Sequence, residues 1–176
     1  LSGRTLDGGD RVSVDEDSAS LLAIRTPGHS ADHMAYLLEP GRAVFTGDLV
    51  LGVGSSAILH PDGHVGSCLA SFSRVLSLRP GRLYPGHGPP VDDGEARLRH
   101  YENHRAERHA QVVRSVRSGA RSVAEMRRLV YGDIGDDLRG AAEASIRAHV
   151  VHMRELGDEV PTIDGLDGVS LLPEEA

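Results

Sequence analysis

Apolar positions alternate with turn-forming residues over the first half of the chain. Residues 11–14, 21–25, 34–38 and 43–46 are short apolar runs bounded by Gly, Pro, Asp or Ser, which predicts four strands of ordinary length. Pro40-Gly41 between the last two runs predicts a hairpin. Over residues 65–78 the spacing changes: Leu69, Phe72, Val75 and Leu76 fall on one side of a helix. Pro80-Gly81 ends that helix, and residues 82–84 form another brief strand. Strands interleaved with a helix imply an α/β layer architecture.

Beyond Pro90 the helical period takes over. Asp92-Asp93 suits a helix start, because carboxylates favour the positive N-terminus, and a long helix is expected over residues 94–118. Ser122 is placed to cap a second helix that runs to Tyr131, its hydroxyl accepting a bond from a free first-turn amide. A third helix is expected over 138–156. Residues 159–172 hold apolar pairs around Asp164-Gly165 and Asp167-Gly168, which predicts a small hairpin. The chain thus divides into an α/β portion, 1–91, and a small helical, winged-helix-like portion, 92–176.

Composition narrows the chemistry. The chain has 176 residues, a formal net charge of −7 and 39% hydrophobic residues. No apolar stretch approaches the ~18 residues of a membrane span, so no membrane partner is expected. All 19 cations are arginine, so no lysine can act as base, Schiff-base amine or phosphate anchor. A single cysteine, Cys68, excludes an internal disulfide framework and a thiolate-rich zinc site, and favours a cytoplasmic setting. The chain opens at Leu1 on residues typical of mid-domain sequence, which suggests the C-terminal part of a longer protein.

Three predicted strands end alike. Thr26-Pro27-Gly28-His29, Thr46-Gly47-Asp48 and Tyr84-Pro85-Gly86-His87 each turn on a glycine and then present a residue able to bind metal. Glycine permits positive φ and, lacking Cβ, lets backbone and ligand approach closely. If the strands end on one rim of a shared sheet, two imidazoles and a carboxylate converge, a donor set suited to Zn, Mn or Fe.

These segments, with Ser30-Ala31-Asp32-His33 after His29 and Gly88 after His87, resemble the later motifs of the metallo-β-lactamase superfamily. Tyr101-Glu102-Asn103-His104-Arg105 and the helices that follow are similar to its lactamase-like protein 2 branch, whose members carry a winged-helix tail. The resemblance spans nearly the whole chain. It implies an αββα sandwich with two zinc ions on its rim, of which this chain would supply the C-terminal part. His29 would bind the first ion, Asp48 would bridge both and orient the attacking water, and His87 would bind the second. Aspartate at position 48 is similar to the glyoxalase II and ribonuclease branches rather than to enzymes that hydrolyse β-lactams. The family's first motif, His-x-His-x-Asp-His, has no counterpart here, since no histidine precedes His29. It is expected upstream of Leu1, and the chain alone is expected to be inactive.

Other residues make lesser claims. Asp32 and His33 read as a hydrogen-bonded turn, with support of the His29 imidazole as the alternative. His60 and His64 flank an exposed turn at Pro61-Asp62-Gly63, with the substrate mouth as the alternative. Cys68, inside the helix, reads as core. Between Arg97 and Arg128 nine arginines face three acids, a local +6 that leaves −13 elsewhere. Such a run is usually a solvated face, although arginine suits phosphate, and the resembled branch includes a single-stranded RNA endonuclease. His104 and Arg105 are the part of this helix expected nearest the rim, as candidates to support the site or touch substrate. The expected activity is hydrolysis of an RNA phosphodiester or a small ester or thioester. The alternatives are a non-enzymatic winged-helix nucleic-acid module on a degenerate sandwich, and a tail that forms a homodimer.

Overall fold

The computed structural model describes residues 5–15 and 18–166. Strands β1 (Arg11–Asp15), β2 (Ala19–Arg25), β3 (Met34–Glu39), β4 (Ala43–Gly47) and β5 (Arg82–Pro85) form one sheet in that order. The first four pair antiparallel in succession, and β5 joins β4 in parallel after the crossover helix α1 (Val65–Ser77). Two reversals bring β4 back to the direction of β2, and β5 shares it, so β2, β4 and β5 all end on one rim. Met34 pairs with Arg25, which puts the start of β3, and His33 before it, on the same rim.

The registers align Leu22, Leu37, Val44 and Leu83 across one face of the sheet, and Ala23, Tyr36, Phe45 and Tyr84 across the other. The first face builds a core with Val65, Cys68, Phe72 and Val75 of α1 and with Leu98 and Tyr101 of α2 (Gly94–Arg117). Phe72 and Tyr101 meet edge to face at 5.7 Å, a geometry the ring quadrupoles favour. The opposite face stays open at Val12, Val14 and Phe45, with Phe45 stacked on Tyr84. One sheet with helices packed on one of its faces is the mixed α/β layering the sequence predicts.

The helical starts follow their caps. Asp93 accepts from the Ala96 amide at the head of α2, and Ser122 accepts from the Glu125 amide at the head of α3 (Val123–Tyr131). Helix α4 (Asp136–Glu155) begins two residues before the expected position. Apolar periodicity is first visible at Leu138, but Asp136 and Asp137 already favour the first turn. Helices α2, α3 and α4 enclose a second core of Val112, Val116, Met126, Ile146, Val150 and Met153, so α2 contributes to both cores. Ile163 and Leu166 join this second core, and Asp164 forms a single parallel bridge with Ser122. The hairpin predicted over 159–172 has no strand within 159–166, where Asp164 pairs with Ser122 instead; residues 167–172 lie outside the described residues. Among the described residues no helix is long and apolar enough to cross a membrane.

Histidines gather where α4 crosses the other helices. His64 caps α1 by accepting from the Ser67 amide through Nδ1, and its Nε2 donates to Glu155 of α4 at 2.8 Å. That contact makes His64 a structural tie, because it docks α4 against the start of α1. Fully buried His149 lies with Nδ1 at 3.4 Å from His109 Nδ1, and burial, with His109 and Arg105 beside it, pushes its pKa down to about 3.

The unfolded chain takes up a proton at position 149 near pH ~6.5 that the folded chain refuses until about pH 3. Stability from this group is complete above pH ~6.5 and is lost as pH falls, by up to ~1.4 kcal/mol per pH unit. Urea unfolding at stepped pH should show this decline, and His149→Leu should flatten it. An unchanged slope in the variant contradicts the assignment.

Candidate metal centre

The rim assembled by the parallel run of β2, β4 and β5 carries His29, Asp48 and His87 together. His29 Nε2 lies 3.8 Å from Asp48 Oδ2, and His87 Nε2 lies 3.5 Å from Asp48 Oδ1, so one carboxylate stands between two imidazoles. Backbone bonds fix the strand ends. The Thr26 amide donates to the His33 carbonyl, the Gly86 amide to the Gly47 carbonyl, and the Gly52 amide to the His87 carbonyl.

Two glycines make this approach possible. Gly47 has φ +50°, and a Cβ there would lie 2.8 Å from His33 Nε2. Gly86 lies so close to the aspartate that a Cβ would fall 3.0 Å from Asp48 Oδ1. A side chain at either position would displace the carboxylate or the ring that holds it.

Two of the three candidate ligands, His29 and Asp48, have an orienting partner. His29 Nδ1 is 2.9 Å from the Ala57 carbonyl, which can only accept, so Nδ1 bears a proton and Nε2 faces Asp48. His33 accepts the Asp48 amide through Nε2 at 3.1 Å, and its Nδ1–H donates to Thr26 Oγ1 at 2.8 Å. Burial first, then the neighbouring His29, lowers the pKa of His33, which favours the neutral ring this bonding requires. His33 therefore steadies the turn that carries Asp48, whereas the His29 tautomer is set by Ala57. Asp32 is exposed and accepts from the Ser30 hydroxyl at 2.8 Å, a bond within its own turn. Burial pushes the Cys68 thiol up to about 11, which keeps it protonated and inert in the core.

A longer chain of contacts supports His29. The loop from Leu51 to Ala57 is held against α2, where Tyr101 accepts the Leu51 amide at 2.8 Å and donates to the Gly54 carbonyl at 3.0 Å. Arg97 Nη2 donates to the Leu51 and Gly54 carbonyls, and buried Arg105 donates to the Ser56 carbonyl, one residue before the Ala57 group that fixes His29. Arg105 thus reaches the rim through this loop and does not touch the three ligands. His104 is half-buried behind the same loop, its Nδ1 without a partner. Sequence reasoning passed over Arg97 and Ala57. The signal for Arg97 was its four-residue spacing with Tyr101 and Arg105, which puts all three on one helix face. A backbone carbonyl such as that of Ala57 leaves no mark in a sequence.

The three ligands do not enclose an ion by themselves: among the described residues, no group of three or more His, Cys, Asp or Glu side chains is arranged to hold one. Their chemistry nevertheless fits part of a metal centre. Asp48 Oδ1 is buried without a hydrogen-bond partner, which is costly for a carboxylate oxygen unless a cation completes it. The Nε2 atoms of two imidazoles stand beside that carboxylate, and nitrogen with oxygen donors suits zinc, manganese or iron.

With this geometry the comparisons agree. The family profile of the metallo-beta-lactamase superfamily matches residues 6–87. A beta-lactamase-like protein 2 homolog of Caenorhabditis elegans is 37% identical over 109 residues, 62% of this chain and 35% of the relative. The atrochrysone carboxyl ACP thioesterase dmxR1 of Cryptosporiopsis sp. is 33% identical over 135 residues, 70% of this chain and 41% of the relative. A crystal structure of a metallo-beta-lactamase family protein from Thermus thermophilus shares the fold at a TM-score of 0.75 and 24% identity, over 89% of this chain and 50% of that one. The chain belongs to the metallo-β-lactamase superfamily. Within it, the similarity is to the beta-lactamase-like protein 2 homologues. The chain spans less than half the length of the curated relatives it matches.

Gly47→Ala should cost about 1–3 kcal/mol, through a strained left-handed turn and the clash with His33. Urea denaturation of the full-length protein measures it, and wild-type stability in the variant would show that the Gly47 turn does not constrain the rim.

Proposed function

We propose that the full-length protein is a metal-dependent hydrolase that cleaves a small acyl ester or thioester. The observation that carries this reading is the Asp48 carboxylate, buried on one oxygen, between the Nε2 atoms of His29 and His87. His29 and Asp48 would hold one ion, and Asp48 and His87 a second, with the remaining ligands coming from the upstream motif. Divalent ions there would supply Lewis acidity toward the attacked carbonyl and lower the pKa of water toward ~7.

The chain's own residues set the conditions for that chemistry. Asp48 brings negative charge to the rim and an oxygen able to orient the attacking water. His33, bonded to the Asp48 amide and to Thr26, fixes where that carboxylate stands. The Ala57 carbonyl keeps the His29 proton on Nδ1, so Nε2 remains a donor of electrons rather than of a proton.

The acyl substrate is favoured over RNA by two observations. A relative matching 70% of the chain is named as a thioesterase. Four of the nine arginines in the run are also committed internally: Arg97 and Arg105 bind the loop over the core, Arg108 donates to the Val130 carbonyl, and Arg127 pairs with Glu143 at 3.6 Å. Less of it remains to follow a phosphodiester backbone.

In the full-length protein, Asp48→Ala should lose bound metal and thioester hydrolysis together, the latter by at least about a hundredfold. Metal analysis beside a thioester assay, with and without chelator, tests this. Unchanged metal content and turnover would remove Asp48 from the site, and chelator-sensitive cleavage of single-stranded RNA without thioester hydrolysis would replace the substrate.

A further inference from the structure

A cleft of about 240 Å³ lies between the loop at Ser55, Ser56 and Ala57 and the helices α2 and α4. Its lining is mixed: His104, Arg105 and Arg108 bring polar and charged groups, and Ile134, Leu138 and Ala142 bring apolar surface. None of its 12 lining residues is acidic. Ala57 belongs both to this cleft and, through its carbonyl, to the orientation of His29, so the cleft adjoins the metal-binding rim.

Arg105 is the unusual feature. Its side chain is 3% exposed, its bonds go to the Ser56 carbonyl and hydroxyl, and its Nε has no partner. Among the described residues no carboxylate pairs with it. A guanidinium removed from water without a counter-charge is costly, by several kcal/mol even after relaxation. Burial lowers the Arg105 pKa, with neighbouring Arg108 adding in the same direction, which expresses the same missing charge. Arg108 stacks on Tyr131 at 4.2 Å, so a second guanidinium is held in place in the same cleft.

We propose that this cleft binds an amphipathic anion, a carboxylate or phosphate headgroup on a short aliphatic chain, with the headgroup at Arg105 and Arg108 and the chain along Ile134, Leu138 and Ala142. The volume lies below the ~300–1,000 Å³ of sites for drug-sized ligands, which limits the occupant to a headgroup and a short chain. This deepens the hydrolase reading, on which it rests for the role of the cleft: the substrate or product would be an acyl compound with an anionic end. Binding itself needs no metal. Arg105 would act there as a binding residue while still supporting the Ser56–Ala57 loop.

Calorimetric titration of the full-length protein, stripped of metal by chelator, with octanoate, octyl phosphate and octan-1-ol tests the proposal. At least one anion should bind about tenfold or more tightly than the alcohol, the value of a charge-assisted bond, and the stronger of the two identifies the headgroup. Leu138→Asp is the informative variant. Position 138 is 55% exposed and lies in the first turn of α4, where a carboxylate is compatible with the helix, yet it brings negative charge into the cleft. It should weaken the anion about tenfold with an unchanged melting temperature, and Arg105→Met should abolish the preference over octan-1-ol. Equal binding of the alcohol and both anions, no binding of either anion, or indifference to Leu138→Asp would overturn the proposal. Because metal is absent throughout, these outcomes are separate from failure of the hydrolase reading, which shows in metal content and turnover.

Discussion

Asp48 is drawn to the centre of the rim by the direction of three strands. Because β2, β4 and β5 run the same way, the first residues beyond them must meet at one end of the sheet, and β4 lies between the other two in the order of strands. The carboxylate that follows β4 is consequently flanked by the histidines that follow β2 and β5. The Gly47 turn and His33 then aim it. The chemistry of the rim depends on this convergence, and a one-residue slip of β4 against β3 would turn Val44 out of the core along with it. The apolar register across Leu22, Leu37, Val44 and Leu83 therefore fixes the site as well as the core.

Helix α2 links that rim to the rest of the chain. Its first half supplies Leu98 and Tyr101 to the sheet's core, its second half Val112 and Val116 to the helical core. Along one face, Arg97, Tyr101 and Arg105 clamp the loop whose Ala57 carbonyl sets the His29 tautomer. The same face borders the cleft in which Arg105 lacks a counter-charge. Support of the ligands and recognition of an anionic acyl compound would thus draw on one helix.

Most of the fold was legible in the sequence because its signals are local. Alternation marked the strands, Pro40-Gly41 the hairpin, and Asp93 and Ser122 the helix starts. The departure at α4 has a physical cause: its first turn is set by the charges of Asp136 and Asp137, two residues before apolar periodicity begins. The meeting of His29, Asp48 and His87 was legible because each follows a turn glycine at a strand end. Their partners were not. His64 reads as part of an exposed turn, yet it caps α1 and donates to Glu155, 91 residues away in the chain. The Arg run reads as a solvated face, whereas Arg105 is buried; its acceptor is a main-chain carbonyl 49 residues away, which carries no sequence signal.

Zinc-edge anomalous diffraction from crystals of the zinc-loaded full-length protein addresses the convergence directly. The account predicts ions at ~2.0–2.2 Å from His29 Nε2, His87 Nε2 and the Asp48 carboxylate, with that carboxylate touching both. Zinc bound elsewhere, with these three side chains free of it, would contradict the account.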